Sequence, residues 1–371
     1  MSTVDQQDRT RRRLSRGSPT GGNHRPGKSE KAVSRKTFRA DRKPLRTLTG
    51  IQILGTGSCL ADRVVSNEDL AALGCDPEWI IQRSGIQERR HAPPEVSTGD
   101  LGVEAGRRCI ERSGVDPAEI DLLVMGTTTP DHIMPSTASE VQQRLDLTCP
   151  ALDVNAACAG FMYALVTAMQ FVKTGSSQRA LVVASDTLSR LMDPADKRIY
   201  PLFGDAAGAV LLGSGDNAQG LLSYCLGSDG SGKNLLYVPA GGSREPVSVD
   251  ALQAGRQFIS MDGRPVFKWA VRAICDTTRD VLQEVGMTVA DIDLFVLHQA
   301  NTRIIDAAAA DLEVPPEKMV VNMQRYGNTS AASIPLVLDE LSEAGRLQPG
   351  TTVLLSGFGA GLTWGTGVFR W

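Results

Sequence analysis

Four short runs of continuous apolar residues punctuate the chain: Leu122–Met125, Leu181–Ala184, Leu294–Leu297 and Val353–Leu355. Runs this short, without polar alternation, suit strands covered on both faces. Segments with helical spacing lie between them, among them Met162–Val172. Buried strands alternating with helices predict a layered α/β architecture. The pattern also repeats. Residues 111–125 align with residues 283–297, so that Gly114 meets Gly286, Ile120-Asp121-Leu122 meets Ile292-Asp293-Leu294, and Val124 meets Val296. At the same spacing of 172, Ala180–Ser185 falls on Thr352–Gly357, and the helix starting near Cys158 falls on Ser330. Three segments at one spacing predict a duplicated α/β body with halves at 47–215 and 216–371.

Charge separates a third region. The 371 residues sum to −3, yet residues 1–46 hold 14 Lys/Arg against 4 Asp/Glu, and the remainder holds 25 against 38. A +10 tail therefore precedes a −13 body. The tail is rich in Arg, Ser and Gly and poor in large apolar residues, a composition expected to be disordered. It lacks the apolar stretch of a secretory signal. With Phe38 its one aromatic residue, base stacking has little support, and nucleic acid is not the expected partner. No apolar run approaches the roughly 20 residues of a membrane helix. The best candidate, Ala159–Val172, is shorter and contains Thr167 and Gln170. Seven cysteines without a Cys-x-x-Cys pair suggest a reduced, cytoplasmic chain. Only four histidines are present, at 24, 91, 132 and 298, which argues against a His-rich metal site.

Candidate chemistry gathers at four places. Cys158, in Asn155-Ala-Ala-Cys-Ala-Gly-Phe161, follows an apolar strand and opens a helix among small residues. The positive end of a helix dipole there favours a thiolate nucleophile, although a buried cysteine is also an ordinary small hydrophobe. His298 leaves a strand and precedes Gln299-Ala-Asn301, a position where α/β sites form and where a structural histidine also fits. Asn328, in Tyr326-Gly-Asn-Thr-Ser-Ala-Ala-Ser, suits a helix N-cap. Under the spacing of 172 it falls on Ala156, beside the nucleophile loop. Gly357-Phe-Gly-Ala-Gly-Leu-Thr-Trp-Gly365 is a glycine-rich turn without the Lys of a phosphate loop, and its N–H groups suit an oxyanion.

Together these motifs resemble β-ketoacyl-acyl carrier protein synthase III, of the thiolase-like superfamily, over residues 50–371. The resemblance implies a duplicated five-layered αβαβα fold, usually a homodimer, with no metal or redox cofactor. It implies that Cys158 attacks a short acyl-CoA, and that the N–H groups of Cys158 and Ala360 hold the oxyanion. His298 and Asn328 would then hold the thioester oxygen of malonyl-acyl carrier protein as CO₂ leaves. Trp79, Arg83, Lys197, Arg198 and Asn301 match CoA and pantetheine contacts, although Trp79 also reads as a partly buried core aromatic. Lys197 stands where Arg is frequent, and Arg198 is its expected substitute. Gln299, Ala300, Asn301, Thr302, Arg303 and Lys268 match contacts with the acidic carrier protein. Asp311 weakens that patch, because some relatives carry Lys there. Met134 matches a residue that limits the acyl pocket from the partner subunit. A thiolase needs a second cysteine where Ser356-Gly357-Phe358 stands. Type III polyketide synthases usually carry Pro where Ala360 is. An inactive binding protein is disfavoured by the intact Cys158, His298 and Asn328. The remaining alternative is a synthase of specialised metabolism, of polyketide or quinolone type, with another acyl donor or acceptor.

Overall fold

Two strands adjacent in sequence, β1 (Arg46–Thr49) and β2 (Ile51–Leu60), enter different sheets, parted by Gly50 at φ +83°. The computed structural model describes residues 45–371; of the tail read as disordered over residues 1–46, residues 1–44 lie outside the described residues, whereas Arg46 is ordered at the start of β1, paired with Tyr224. The chain continues through β3 (Arg63–Ser66), α1 (Asn67–Ala71), α2 (Pro77–Ser84), β4 (Glu88–His91), α3 (Thr98–Ser113), β5 (Leu122–Gly126), α4 (Thr137–Arg144), β6 (Ala151–Val154), α5 (Gly160–Thr174), β7 (Arg179–Asp186) and β8 (Ala206–Ser214). It then forms β9 (Gly220–Ser228), β10 (Leu236–Tyr237), α6 (Val249–Gln253), β11 (Ser260–Met261), α7 (Gly263–Glu284), β12 (Leu294–Leu297), α8 (Thr302–Leu312), α9 (Met323–Tyr326), α10 (Ser333–Glu343), β13 (Thr352–Gly359) and β14 (Thr363–Arg370).

The strands form two five-stranded sheets, ordered β2-β8-β7-β5-β6 and β1-β9-β14-β13-β12. Helices α5 and α10 pack between them, α3 and α4 cover the first sheet, and α7 covers the second. This is the expected five-layered αβαβα arrangement. Strand β1, whose residues 47–49 are assigned by sequence to the N-terminal half, pairs antiparallel with β9 of the second sheet.

Burial on both faces explains the apolar runs. In β5, Leu122 and Val124 join the central core with α5 and α10, whereas Leu123 and Met125 face α3 and α4. Helix α5 is apolar around most of its circumference because it lies between two sheets. Phe161, Met162, Leu165, Ala168 and Met169 are buried there. The segment that came nearest to a membrane helix is thus the middle of the core. Among the described residues no helix is long and apolar enough to cross a membrane.

Strand register corrects the repeat by one residue. Leu123 pairs with Leu181, and Phe295 pairs with Leu354. The first members are 172 apart and the second 173, so one residue enters the second copy between β12 and β13. The counterpart of Asn328 is therefore Asn155, not Ala156. Both make the same turn: Asn155 Oδ1 accepts from Ala157 N–H at 3.2 Å, and Asn328 Oδ1 accepts from Ser330 N–H at 2.9 Å.

Candidate active site

The ends of the two central helices meet near the middle of the molecule. A 3-10 turn, Ala157–Ala159, precedes α5, and another, Ser330–Ala332, precedes α10. Cys158 sits in the first. The Ser330 hydroxyl donates to its Sγ at 3.4 Å. The end of β13 presses against this turn: a Cβ on Gly359 would lie 2.6 Å from the Cys158 nitrogen, so only glycine fits. Burial pushes the Cys158 thiol from 9.0 up to about 12, Ser330 opposes the rise, and the Asp186 carboxylate adds to it. Burial at this position thus works against the thiolate that the helix terminus favours.

His298 leaves β12 with its N–H donating to the Ser356 carbonyl at 2.8 Å. Its Nδ1 lies 2.7 Å from Ser333 Oγ, and Phe358 meets the ring edge-on at a centroid separation of 5.1 Å. Burial alone pushes its pKa down to about 3, so the imidazole is neutral at physiological pH.

Asn328 is clamped through its backbone. Its N–H donates to Leu202 O at 2.8 Å and its carbonyl accepts from Gly204 N–H at 3.0 Å. Its side-chain oxygen receives Ser330 N–H, which leaves the amide NH₂ as the free donor. Gly327, at φ +67°, allows the close pass, since a Cβ there would sit 2.9 Å from Leu202 O. Behind this clamp lies Arg89, fully buried. Its guanidinium donates to Pro201 O, Val65 O and Asn67 Oδ1 at 2.7–3.1 Å. Sequence reasoning missed Arg89. Nothing in a run of charged residues, Glu88-Arg89-Arg90, marks which one turns inward.

A cavity of ≈ 580 Å³ brings Cys158, His298 and Asn328 together. Trp79, Arg83, Arg198, Lys268, Ala300, Asn301 and Arg303 line the same cavity, as does Arg264, which the sequence reading passed over. Arg83 stacks over the Trp79 ring at 5.6 Å. Asn301 caps α8 by accepting from Arg303 N–H, and its Nδ2 donates to Arg83 O at 3.1 Å. The five cations of the lining are exposed, and no Asp or Glu lines the cavity.

Other expected contacts lie elsewhere. Gln299 is buried, donating to Leu297 O and Val320 O and accepting from Asn322 N–H, so it offers no surface to a partner. Thr302 packs against Gly85, the C-cap of α2. Lys197 is exposed with its Nζ toward Gly74, outside the cavity lining, while the neighbouring Arg198 is in it. Ala360 follows Gly359 in the turn before β14, where its carbonyl accepts from Thr363 Oγ1 at 2.9 Å. Met134 is 86% exposed and does not line this chain's own cavity. Asp311 is held by Arg279 at 2.7 Å, which offsets its charge. Among the described residues no cluster of three His, Cys, Asp or Glu could hold a metal ion.

Sequence models of one family, described as 3-oxoacyl-[acyl-carrier-protein (ACP)] synthase III and its C-terminal part, match residues 152–230 and 282–371, which include Cys158, His298 and Asn328. Beta-ketoacyl-[acyl-carrier-protein] synthase III of Rhodopirellula baltica is 53% identical over 342 residues, covering 87% of this chain and 99% of that protein. The chain belongs to the β-ketoacyl-acyl carrier protein synthase III family. The Clostridium acetobutylicum synthase III is 44% identical over 87% of this chain and 99% of its own. The crystal structure of the Aquifex aeolicus synthase III superposes with a TM-score of 0.81 at 38% identity, covering 87% of this chain and all of that one. The chain is therefore an enzyme, an acyltransferase with a thiolase-like fold.

Proposed function

We propose that this synthase III family member condenses a short acyl-CoA with malonyl-acyl carrier protein, giving 3-oxoacyl-acyl carrier protein, CoA and CO₂, the step that starts fatty acid synthesis. The convergence of Cys158, His298 and Asn328 on one cavity carries this reading. Cys158 Sγ adds to the acyl-CoA carbonyl, the bond to the CoA sulfur breaks, and the thiol proton leaves with CoA. The N–H groups of Cys158 and Ala360 hold the oxyanion. Malonyl-acyl carrier protein then loses CO₂, and the released electron pair becomes an enolate on the thioester oxygen. The His298 ring and the Asn328 NH₂ donate to that oxygen. The enolate carbon attacks the acyl-Cys158 carbonyl, and the expelled sulfur takes a proton from solvent.

Trp79, Arg83, Arg198 and Asn301 are assigned to the CoA nucleotide and pantetheine. Arg303 and Lys268, exposed and cationic, are assigned to the acidic carrier protein. Met134, exposed beside Ile133, is assigned to the pocket of the partner in a cytoplasmic homodimer. The names of the curated relatives favour this reading over a synthase of specialised metabolism. Incubation with radiolabelled acetyl-CoA should label the wild type and leave Cys158→Ala unlabelled. Equal labelling of both removes Cys158 as the nucleophile.

A further inference from the structure

The His298 ring is neutral, so only one of its nitrogens carries a proton, and which one decides whether the ring gives or takes a hydrogen bond in the cavity. Nδ1 faces Ser333 Oγ at 2.7 Å, which leaves Nε2 as the nitrogen without that partner. The roles across this contact depend on where the serine proton goes. Ser333 is the first residue of α10, but it does not cap the helix, whose N-cap is Ala332 with no side-chain bond. Ser333 Oγ itself accepts from Gln299 N–H, a long contact of 3.4 Å. One lone pair of the hydroxyl is thus engaged, and its proton has an acceptor at hydrogen-bond distance in Nδ1.

Resting on the reaction proposed above, we propose that Ser333 donates to His298 Nδ1 and thereby fixes the proton on Nε2, making His298 a hydrogen-bond donor to the enolate oxygen. Ser333 does not line the cavity and so acts as a positioning residue. The reverse arrangement would present a lone pair on Nε2 to a developing negative charge, which repels it. Phe358, packed edge-on against the ring, restrains it from turning over. In the Nε2–H form His298 has no free lone pair for the Cys158 proton. This agrees with a thiol proton that departs with CoA rather than through the imidazole.

The test joins a spectroscopic and a kinetic readout. Protein labelled with ¹⁵N in its histidines, of which there are four, reports the tautomer of each ring through long-range ¹⁵N–¹H correlations, with the His298 signal assigned by its loss in His298→Gln. The wild type is expected to show the Nε2–H form. Ser333→Ala is expected to lose that single tautomer and to decarboxylate malonyl-acyl carrier protein more slowly, by on the order of 10²-fold, the loss typical of a missing oxyanion donor. Its KM for the carrier protein and its rate of Cys158 acylation should stay within about twofold of wild type. Ser333→Thr, which keeps the hydroxyl, should restore both tautomer and rate. Wild type with the proton on Nδ1 overturns the proposal, as does Ser333→Ala with unchanged tautomer and decarboxylation. Should the wild type fail to decarboxylate malonyl thioester at all, the proposed reaction falls, while the spectra still decide the tautomer.

Discussion

Cys158 and His298 each gain their character from burial. The thiol is pushed up to about 12 and the imidazole down to about 3, both chiefly by loss of solvent. The thiolate is the alkylating species, so below about pH 12 its fraction grows roughly tenfold for each pH unit. Inactivation by iodoacetamide should therefore accelerate from pH 7 to 10 without levelling, and a plateau near pH 8 to 9 would show that the site holds a far more acidic thiol. His298, already neutral, should contribute no inflection between pH 5 and 8. A second residue-scale prediction separates the two half-reactions. His298→Ala should still form the acyl-enzyme with acetyl-CoA but lose malonyl decarboxylation by about 10²–10³-fold. Unimpaired decarboxylation in that variant would remove His298 from the enolate site.

At the scale of elements, the site depends on contacts between segments far apart in sequence. Helix α10 is tied to the first half through Asp339, which is buried and accepts from Thr56 Oγ1 at 2.7 Å, Ser58 Oγ at 2.6 Å and Arg112 Nη1 at 2.6 Å. These partners lie on β2 and α3, so one carboxylate joins three elements. Because α10 also carries Ser333 at its start, the same tie steadies the support of His298. Asp339→Ala should lower stability by about 1.5–3 kcal/mol, the range for hydrogen bonds to a charged group. The midpoint of urea unfolding should fall with it, and an unchanged midpoint would show that the network contributes nothing. The approach of β13 to the nucleophile turn is tighter. Gly359→Ala places a methyl 2.6 Å from the Cys158 backbone nitrogen. Acyl-enzyme formation should be lost while secondary structure by circular dichroism is retained.

For the whole molecule, the charge split is the organising fact. The body carries −13, yet the cavity is lined by Arg83, Arg198, Arg264, Lys268 and Arg303 without an acid among them. Positive charge is thus concentrated where the proposed acidic carrier protein approaches, and Asp311, which by sequence weakens the patch, is neutralised by Arg279. The +10 tail is expected to add to that attraction at low ionic strength. Removing residues 1–44 should raise the KM for the carrier protein in low salt, leave kcat unchanged, and make no difference in high salt. Equal KM values in low salt would deny the tail this role.

What was legible in the sequence follows from periodicity and local composition. Short apolar runs must be strands covered on both faces, a 15-residue apolar helix must be central, and a repeated pattern must give repeated structure. Cys158 and Asn328 were legible as candidates because small residues crowd around them, and His298 because it directly follows an apolar strand. The register of the repeat was not, because one inserted residue leaves the hydrophobic pattern nearly intact while exchanging Ala156 for Asn155 as the partner of Asn328. Gln299 and Thr302 were read as carrier-protein contacts because residues 299–303 match a contact stretch of the family. The fold turns one into the interior and the other onto α2, since hydrogen bonds to Leu297, Val320 and Asn322 satisfy a buried amide that sequence alone leaves without partners. Ser333 and Arg89 act through groups 35 and 112 residues away, in His298 and Pro201. Periodicity reports only which face of an element is apolar. Which atoms meet across elements, and how burial then shifts a thiol and an imidazole, is decided by packing in three dimensions.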